Sequence, residues 1–295
     1  MKRFLLLFLV LILTAAFAST QDIGLSASLE FGIAGINKPN DDEDIYPYLW
    51  ADVAYENSFL DEALDISAEL AYDFTFTETD DEFPQNLYFN FSVGYNIGIS
   101  DASTLSIILG NEDYIVLSPS GDDNVIGIFK PGIKFNQSIE NAGECSIQLD
   151  VPIAYLYYGE EKDYTFAGLD ITIGYASEFG LGLELGGHIL FSPDEKEFGG
   201  GYAPNGFTGI SLTVSYETGP FYAEIAAAFP VKNLDNFAPY SYFDVLATPG
   251  VSITPQLVYN INESLSAYVY CIFDGIGIKD YDMGVSPAIG ITYSF

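Results

Sequence analysis

Apolar and polar residues alternate through most of this chain, in stretches of about ten residues or more, and that period leaves few folds open. Extended backbone sends successive side chains to opposite faces, so each stretch has one apolar and one polar face. One face carries Ile23, Leu25, Ala27, Leu29, Phe31 and Ile33; another carries Leu64, Ile66, Ala68, Leu70, Tyr72, Phe74 and Phe76; a third runs Leu87, Phe89, Phe91, Val93, Tyr95, Ile97 and Ile99. Later stretches repeat the pattern from Ile147 to Tyr157 and from Leu181 to Phe191. The last begins at Tyr281 and closes on VSPAIGITYSF. The opposite faces hold Ser, Gly, Asn, Thr, Asp and Glu, and helical spacing is hard to find.

A soluble β-sandwich also alternates, but its strands are commonly about five or six residues long. The stretches here match the length at which a tilted strand crosses a bilayer. Short turns fall near 57–62, 100–103, 136–143, 177–180, 218–220 and 260–264, and longer acidic or Pro/Gly-rich loops lie between them. Short turns at one rim, long loops at the other and aromatics toward strand ends describe a transmembrane barrel. Closure follows from lipid, where every backbone polar group must find a partner within the protein.

The expected fold is therefore all-β: a transmembrane antiparallel up-and-down barrel of about fourteen strands. Twelve strands stay open, because Tyr114 to Leu117 reads either as strand or as loop. Pro47, Pro131, Pro152, Pro230, Pro255 and Pro287 fall inside these strands, where each removes a ladder donor; they are expected to mark bulges or strand ends.

The first eighteen residues, MKRFLLLFLVLILTAAFA, combine two basic residues, an apolar run and an A-x-A site, as a secretory signal peptide does. The expected organisation is signal peptide over 1–18 and barrel over 19–295. Removing Lys2 and Arg3 takes the net charge from -33 to -35. Such acidity excludes nucleic acid as a partner, since phosphates need basic contacts. A hydrophobic content of 49% argues against disorder despite the charge. Cys145 and Cys271 sit far apart at apolar strand positions and read as small hydrophobes rather than a disulfide.

With its apolar alternation up to Phe295, the final strand resembles that of bacterial outer-membrane β-barrel proteins of the porin type. The resemblance covers about Ile23 to Phe295. Ile289, Ile291, Tyr293 and Phe295 occupy the positions that the barrel-assembly machinery reads in that family. The resemblance implies a bacterial outer-membrane location, with outer-membrane lipids and that machinery as partners. Many family members are trimers, so a homo-oligomer stays open. Ile23 begins the alternation shortly after the cleavage site, so any constriction is expected from an inward loop or inward side chains.

If the apolar face meets lipid, the other face lines a lumen. Parity places Asp52, Glu56, Asp65, Glu69, Asp73, Glu144, Asp150, Asp170, Glu184, Glu217 and Glu224 there, against Lys130 and Lys134 on one strand. Acidic linings favour cations, which suggests a channel for ions and small hydrophilic solutes with weak cation preference. The lysines are expected to pair with acids nearby. Tyr46, Tyr48 and Trp50 share one inward face, with Tyr88, Tyr158, Tyr222, Tyr268 and Tyr270 on others. Their rings could stack on sugars, or simply fill space. A third possibility is a blocked structural or surface-interaction protein whose acidic loops bind a partner.

Neither NDDED at 40–44 nor GDDN at 121–124 has calcium-loop spacing, so no metal or cofactor is expected. Nor is an enzyme: His188 is the only histidine, expected in the lumen beside Glu184, and no nucleophile motif accompanies it.

Overall fold

The structure, a computed structural model, describes residues 24–34, 46–60, 62–75, 85–117, 124–158, 162–191, 207–232, 251–277 and 283–295. In chain order its strands are β1 (Leu25–Ala34), β2 (Tyr46–Phe59), β3 (Leu64–Thr75), β4 (Gln85–Ser100), β5 (Ser103–Leu117), β6 (Asn124–Ile139), β7 (Gly143–Asp150), β8 (Ile153–Tyr158) and β9 (Lys162–Ser177). They continue with β10 (Leu181–Phe191), β11 (Phe207–Thr218), β12 (Phe221–Lys232), β13 (Val251–Asn262), β14 (Leu265–Ile276) and β15 (Gly284–Ser294).

All pairings are antiparallel, and β15 returns to β1 with Tyr293 opposite Ala27 and Ile289 opposite Phe31. β7 and β8 are two halves of one stave. Both pair with β6 and β9 in a register that does not change across Val151 and Pro152. The ladder also continues at the break, where the Val151 N–H donates to Pro131 O at 2.9 Å and the Gly168 N–H to Pro152 O at 2.8 Å. The architecture is thus a closed antiparallel barrel of 14 strands, and the twelve-strand alternative is excluded. Tyr114 to Leu117 is strand, paired with β4.

The expectation that prolines mark bulges or strand ends holds only in part. A register shift does accompany Pro230, between Thr208 and Gly209 of the partner strand. Pro47, the second residue of β2, and Pro152, between β7 and β8, lie at strand ends as expected, whereas Pro131 and Pro287 sit in unbroken register opposite Leu109 and Cys271. Pro255 keeps its place opposite Ile225, and the shift in β13 lies nearer the strand start, between Val251 and Ile253. One missing donor removes one ladder bond, while unbroken pairs on either side keep the strand aligned.

Burial is inverted relative to a soluble protein. Large apolar side chains stand exposed on the outside, including Leu29 at 46%, Ile171 at 41% and Ile289 at 60%. Lipid supplies their environment, so they need no protein core. Tyr95, Tyr216, Phe221, Tyr259 and Tyr293 face outward near the short-turn rim, where Phe221 packs on Tyr259 at 5.0 Å and Tyr293 on Phe295 at 4.8 Å between ring centroids. Such a girdle suits the interface, since aromatic rings tolerate both acyl chain and water. Cys145 and Cys271 are free thiols on this outer face, as read from the sequence.

The short turns at 60–63, 101–102, 140–142, 178–180, 219–220 and 263–264 share the rim that holds Gly24 and Phe295, the periplasmic rim in this architecture. Phe295 N–H donates to Leu25 O at 2.8 Å across the seam. In the 178–180 turn, Gly180 has φ +91°, and a Cβ there would lie 2.1 Å from the Glu217 carbonyl oxygen. Gly180→Ala should therefore destabilise the barrel by about 1 kcal/mol or more, because the left-handed backbone and the close carbonyl both oppose a side chain. The temperature at which the folded band gives way to the unfolded one on denaturing gels measures the loss.

Candidate functional site: the inner wall of the barrel

Residues directly opposite in an antiparallel ladder share a face, so the registers assign the inner wall strand by strand. Glu30 faces Trp50, which faces Asp73, which faces Asn86; one row away, Ser28, Asp52, Ala71 and Tyr88 are aligned. A third row joins Ala54, Glu69, Asn90 and Glu112. By the same reasoning Glu56, Asp65, Lys130, Lys134, Glu144, Asp150, Asp170, Glu184, Glu217 and Glu224 lie on the inner wall. Tyr48, Trp50, Tyr88, Tyr222, Tyr268 and Tyr270 share that wall. The side chains of Tyr46 and Tyr158 lie outside the described residues, as do the NDDED segment and residues 121–123.

Sequence reasoning missed three inward acids: Glu30, Glu112 and Asp274. Glu30 belongs to a stretch whose apolar face was counted, and its even position could have been read as the others were. It organises the seam between the first and last strands. Only 7% exposed, it accepts hydrogen bonds from the hydroxyls of Tyr48 (2.9 Å) and Tyr270 (2.5 Å) on Oε1, and from that of Tyr268 (3.0 Å) on Oε2. Tyr48 and Tyr270 hydroxyls also meet at 3.1 Å. Glycines make room for these rings: a Cβ on Gly32 would lie 2.3 Å from the Tyr48 ring, and one on Gly290 would lie 2.2 Å from that of Tyr268. Tyr268 and Tyr270 stack nearly parallel, 10° apart. The cluster draws β14, β1 and β2 together across the strand that closes the barrel.

A second polar group crosses β5 to β11. Lys130 Nζ forms a salt bridge with Glu112 Oε1 at 2.7 Å, so the expected pairing is found for Lys130, with an acid not among those assigned to the lumen from sequence. Asp150 stands opposite Asp170, and Gln148 donates to Asp150 at 2.8 Å. His188 was expected beside Glu184. It shares the inner face of β10 with Glu184, while its Nδ1 meets Asp170 Oδ1 at 3.2 Å from the position directly opposite and its Nε2 meets Ser211 Oγ at 3.0 Å diagonally, Ser211 being opposite Gly186.

The Asp170–His188–Ser211 order has the connectivity of a nucleophile activated by a base. Ser211 itself lies in register with both Gly186 and Ala228. Its backbone is thereby committed to ladders on both sides rather than aimed at a developing oxyanion. Gly186 belongs to this bridge, because a Cβ there would fall 2.2 Å from Ser211 Oγ. Among the described residues no group of three or more His, Cys, Asp or Glu side chains is arranged to hold a metal.

Near the periplasmic rim the β1 to β7 side of the wall forms a cavity of about 1160 Å³ lined by Glu56, Glu62, Asp65, Asn96, Lys134 and Glu144, among others. Asp65 is fixed there by Ser58 at 2.6 Å and Asn96 at 2.6 Å. Farther from that rim the wall is close-packed: Ile128 and Ala228 are 0% exposed, and Ala288, Asp274 and Ser252 are buried.

No protein-family model matches the sequence, and no curated protein matches it either. Solved structures do share the fold. The Pseudomonas putida toluene transporter TodX superimposes with a TM-score of 0.51 at 8% identity, covering 95% of this chain and 92% of that one. The Ralstonia pickettii toluene transporter TbuX gives 0.50 at 11%, covering 93% and 90%. The KdgM porin, solved in complex with disordered oligogalacturonate, gives 0.42 at 8%, covering 92% and 99%. The chain has the fold of bacterial outer-membrane channel barrels.

The Glu30 cluster makes a testable claim about stability. Glu30→Leu should cost about 1–3 kcal/mol for each buried tyrosine hydroxyl left without an acceptor, and Glu30→Gln clearly less. Urea unfolding followed by Trp50 emission gives both values.

Proposed function

We propose that this outer-membrane barrel is a passive channel for ions and small hydrophilic solutes, with a weak cation preference set by its inner wall. The observation that carries the reading is the one-sided sign of that wall. Its acids run from Glu30 through Glu224 to Asp274, while among the described side chains its lysines are Lys130 and Lys134, the first tied to Glu112. Lumen polarity alone needs no particular sign, because any charge is cheaper inside than on the lipid face. Carboxylates in a narrow, low-dielectric passage concentrate cations and repel anions.

Transport is by diffusion, so no covalent chemistry is assigned to the chain. The Asp170–His188–Ser211 bridge ties three strands together and contributes polarity. A signal peptide over 1–18 and an assembly signal at Ile289, Ile291, Tyr293 and Phe295 belong to the same reading. A sugar track built on Tyr48, Tyr268 and Tyr270 has less support. Their hydroxyls are committed to Glu30, and two of their rings cover glycines.

Planar bilayers in a potassium chloride gradient test the proposal. Single-channel steps with a reversal potential on the cation side are expected. Absence of steps, or a reversal potential on the anion side, would sink it. Replacing Asp65, Glu69 and Asp73 by Asn or Gln should move the reversal potential toward zero, and Lys130→Met should move it the other way by leaving Glu112 uncompensated.

A further inference from the structure

We propose that the inner wall of β2 to β4 carries a binding site for organic ammonium cations, built from the rings of Trp50 and Tyr88. This rests on the cation-channel reading and names a solute class for it. The two rings come from strands that flank β3, with centroids 6.1 Å apart and planes tilted by 47°. On β3 between them is Ala71, opposite both Asp52 and Tyr88 and only 1% exposed, so its small methyl group is packed away in the wall.

Carboxylates surround the pair. Asp73 stands opposite Trp50 and receives a hydrogen bond from Asn86 at 3.1 Å. Asp52 shares the inner face of β2 with Trp50, two residues along the strand, which adds a second carboxylate beside the rings. Glu69 lies one row away, within electrostatic reach of Asp52.

The chemistry selects the ligand. A cation is attracted to an aromatic face within about 6 Å of its centroid. For two centroids 6.1 Å apart, a point about 5 Å from both lies about 4 Å out from their midpoint; because both residues belong to the inner wall, the lumen side is the one from which a solute approaches. An alkylammonium head can occupy that point with its methyl groups on the rings and its charge among the acids. A strongly hydrated inorganic ion loses water there without gaining a full oxygen shell. A neutral solute gains nothing from the carboxylates.

Trp50 is the only tryptophan, so its emission reports on the site directly. Purified barrel in detergent is titrated with tetramethylammonium chloride, and in parallel with sodium chloride at equal ionic strength. A saturable change with tetramethylammonium alone is expected. Tyr88→Ala should raise its midpoint about tenfold, while Tyr88→Phe, which keeps the ring face, should leave it within about threefold.

If Tyr88→Ala does not assemble, Asp73→Asn serves in its place, with a severalfold weaker midpoint expected. On the unsubstituted protein, tetramethylammonium should also reduce potassium current over the same concentration range. No saturable change, an equal response to sodium, or Tyr88→Phe weakening the site as much as Tyr88→Ala would overturn the proposal. Potassium-over-chloride selectivity is measured separately. Cation selectivity without tetramethylammonium binding would remove this site and leave the channel standing, whereas binding without conductance would remove the channel and leave the site.

Discussion

Everything in this structure depends on the closed backbone ladder. In hydrocarbon no water is available to an unpaired N–H or C=O, so a sheet can cross the membrane only if its last strand meets its first. The pairing of β15 with β1 meets that demand over the stretch from Ser26 to Gly32. Once backbone bonding carries the fold, the requirement for an apolar interior disappears, and large hydrophobic side chains turn outward to lipid. The interior is then open to polar and charged residues that no soluble sandwich of this size would bury in such number.

The seam shows how side chains support what the backbone begins. Glu30 accepts three tyrosine hydroxyls from both sides of the closing pair, and glycines at 32 and 290 let two of the rings lie flat against the wall. Each part depends on the others: without the glycines the rings could not approach, and without the rings a buried carboxylate would stand unsolvated. The same economy appears farther round the barrel, where Lys130 offsets Glu112, and where Asp170, His188 and Ser211 bridge three adjacent strands.

Legibility from sequence followed the period of the chain. Parity alone put Asp52, Glu69, Asp150 and Trp50 on one face, because a two-residue repeat has no other assignment to offer. The same parity applies to Glu30, in the regular Ile23 to Ile33 stretch, and to Glu112 and Asp274, which lie in stretches that read as loop or strand with equal ease. Prolines were harder to read. A donor missing from one strand looks like a break in sequence, yet at Pro131 and Pro287 the partners on both sides keep the register. The environment of His188 was beyond reach, since Glu184 is its neighbour along the strand while Asp170 and Ser211 approach from strands whose alignment is invisible in one dimension.

By itself the sequence determined that its alternating stretches are extended, that one face of them is apolar and the other acidic, and that they are long enough for a bilayer; these are properties of periodicity and composition. Tertiary structure alone decided the count of staves, the partner of each acid and the meeting of Trp50 with Tyr88 across β3. Those outcomes depend on the stagger between neighbouring strands, and stagger is set jointly by turns, glycines and closure around the whole ring rather than by any single stretch.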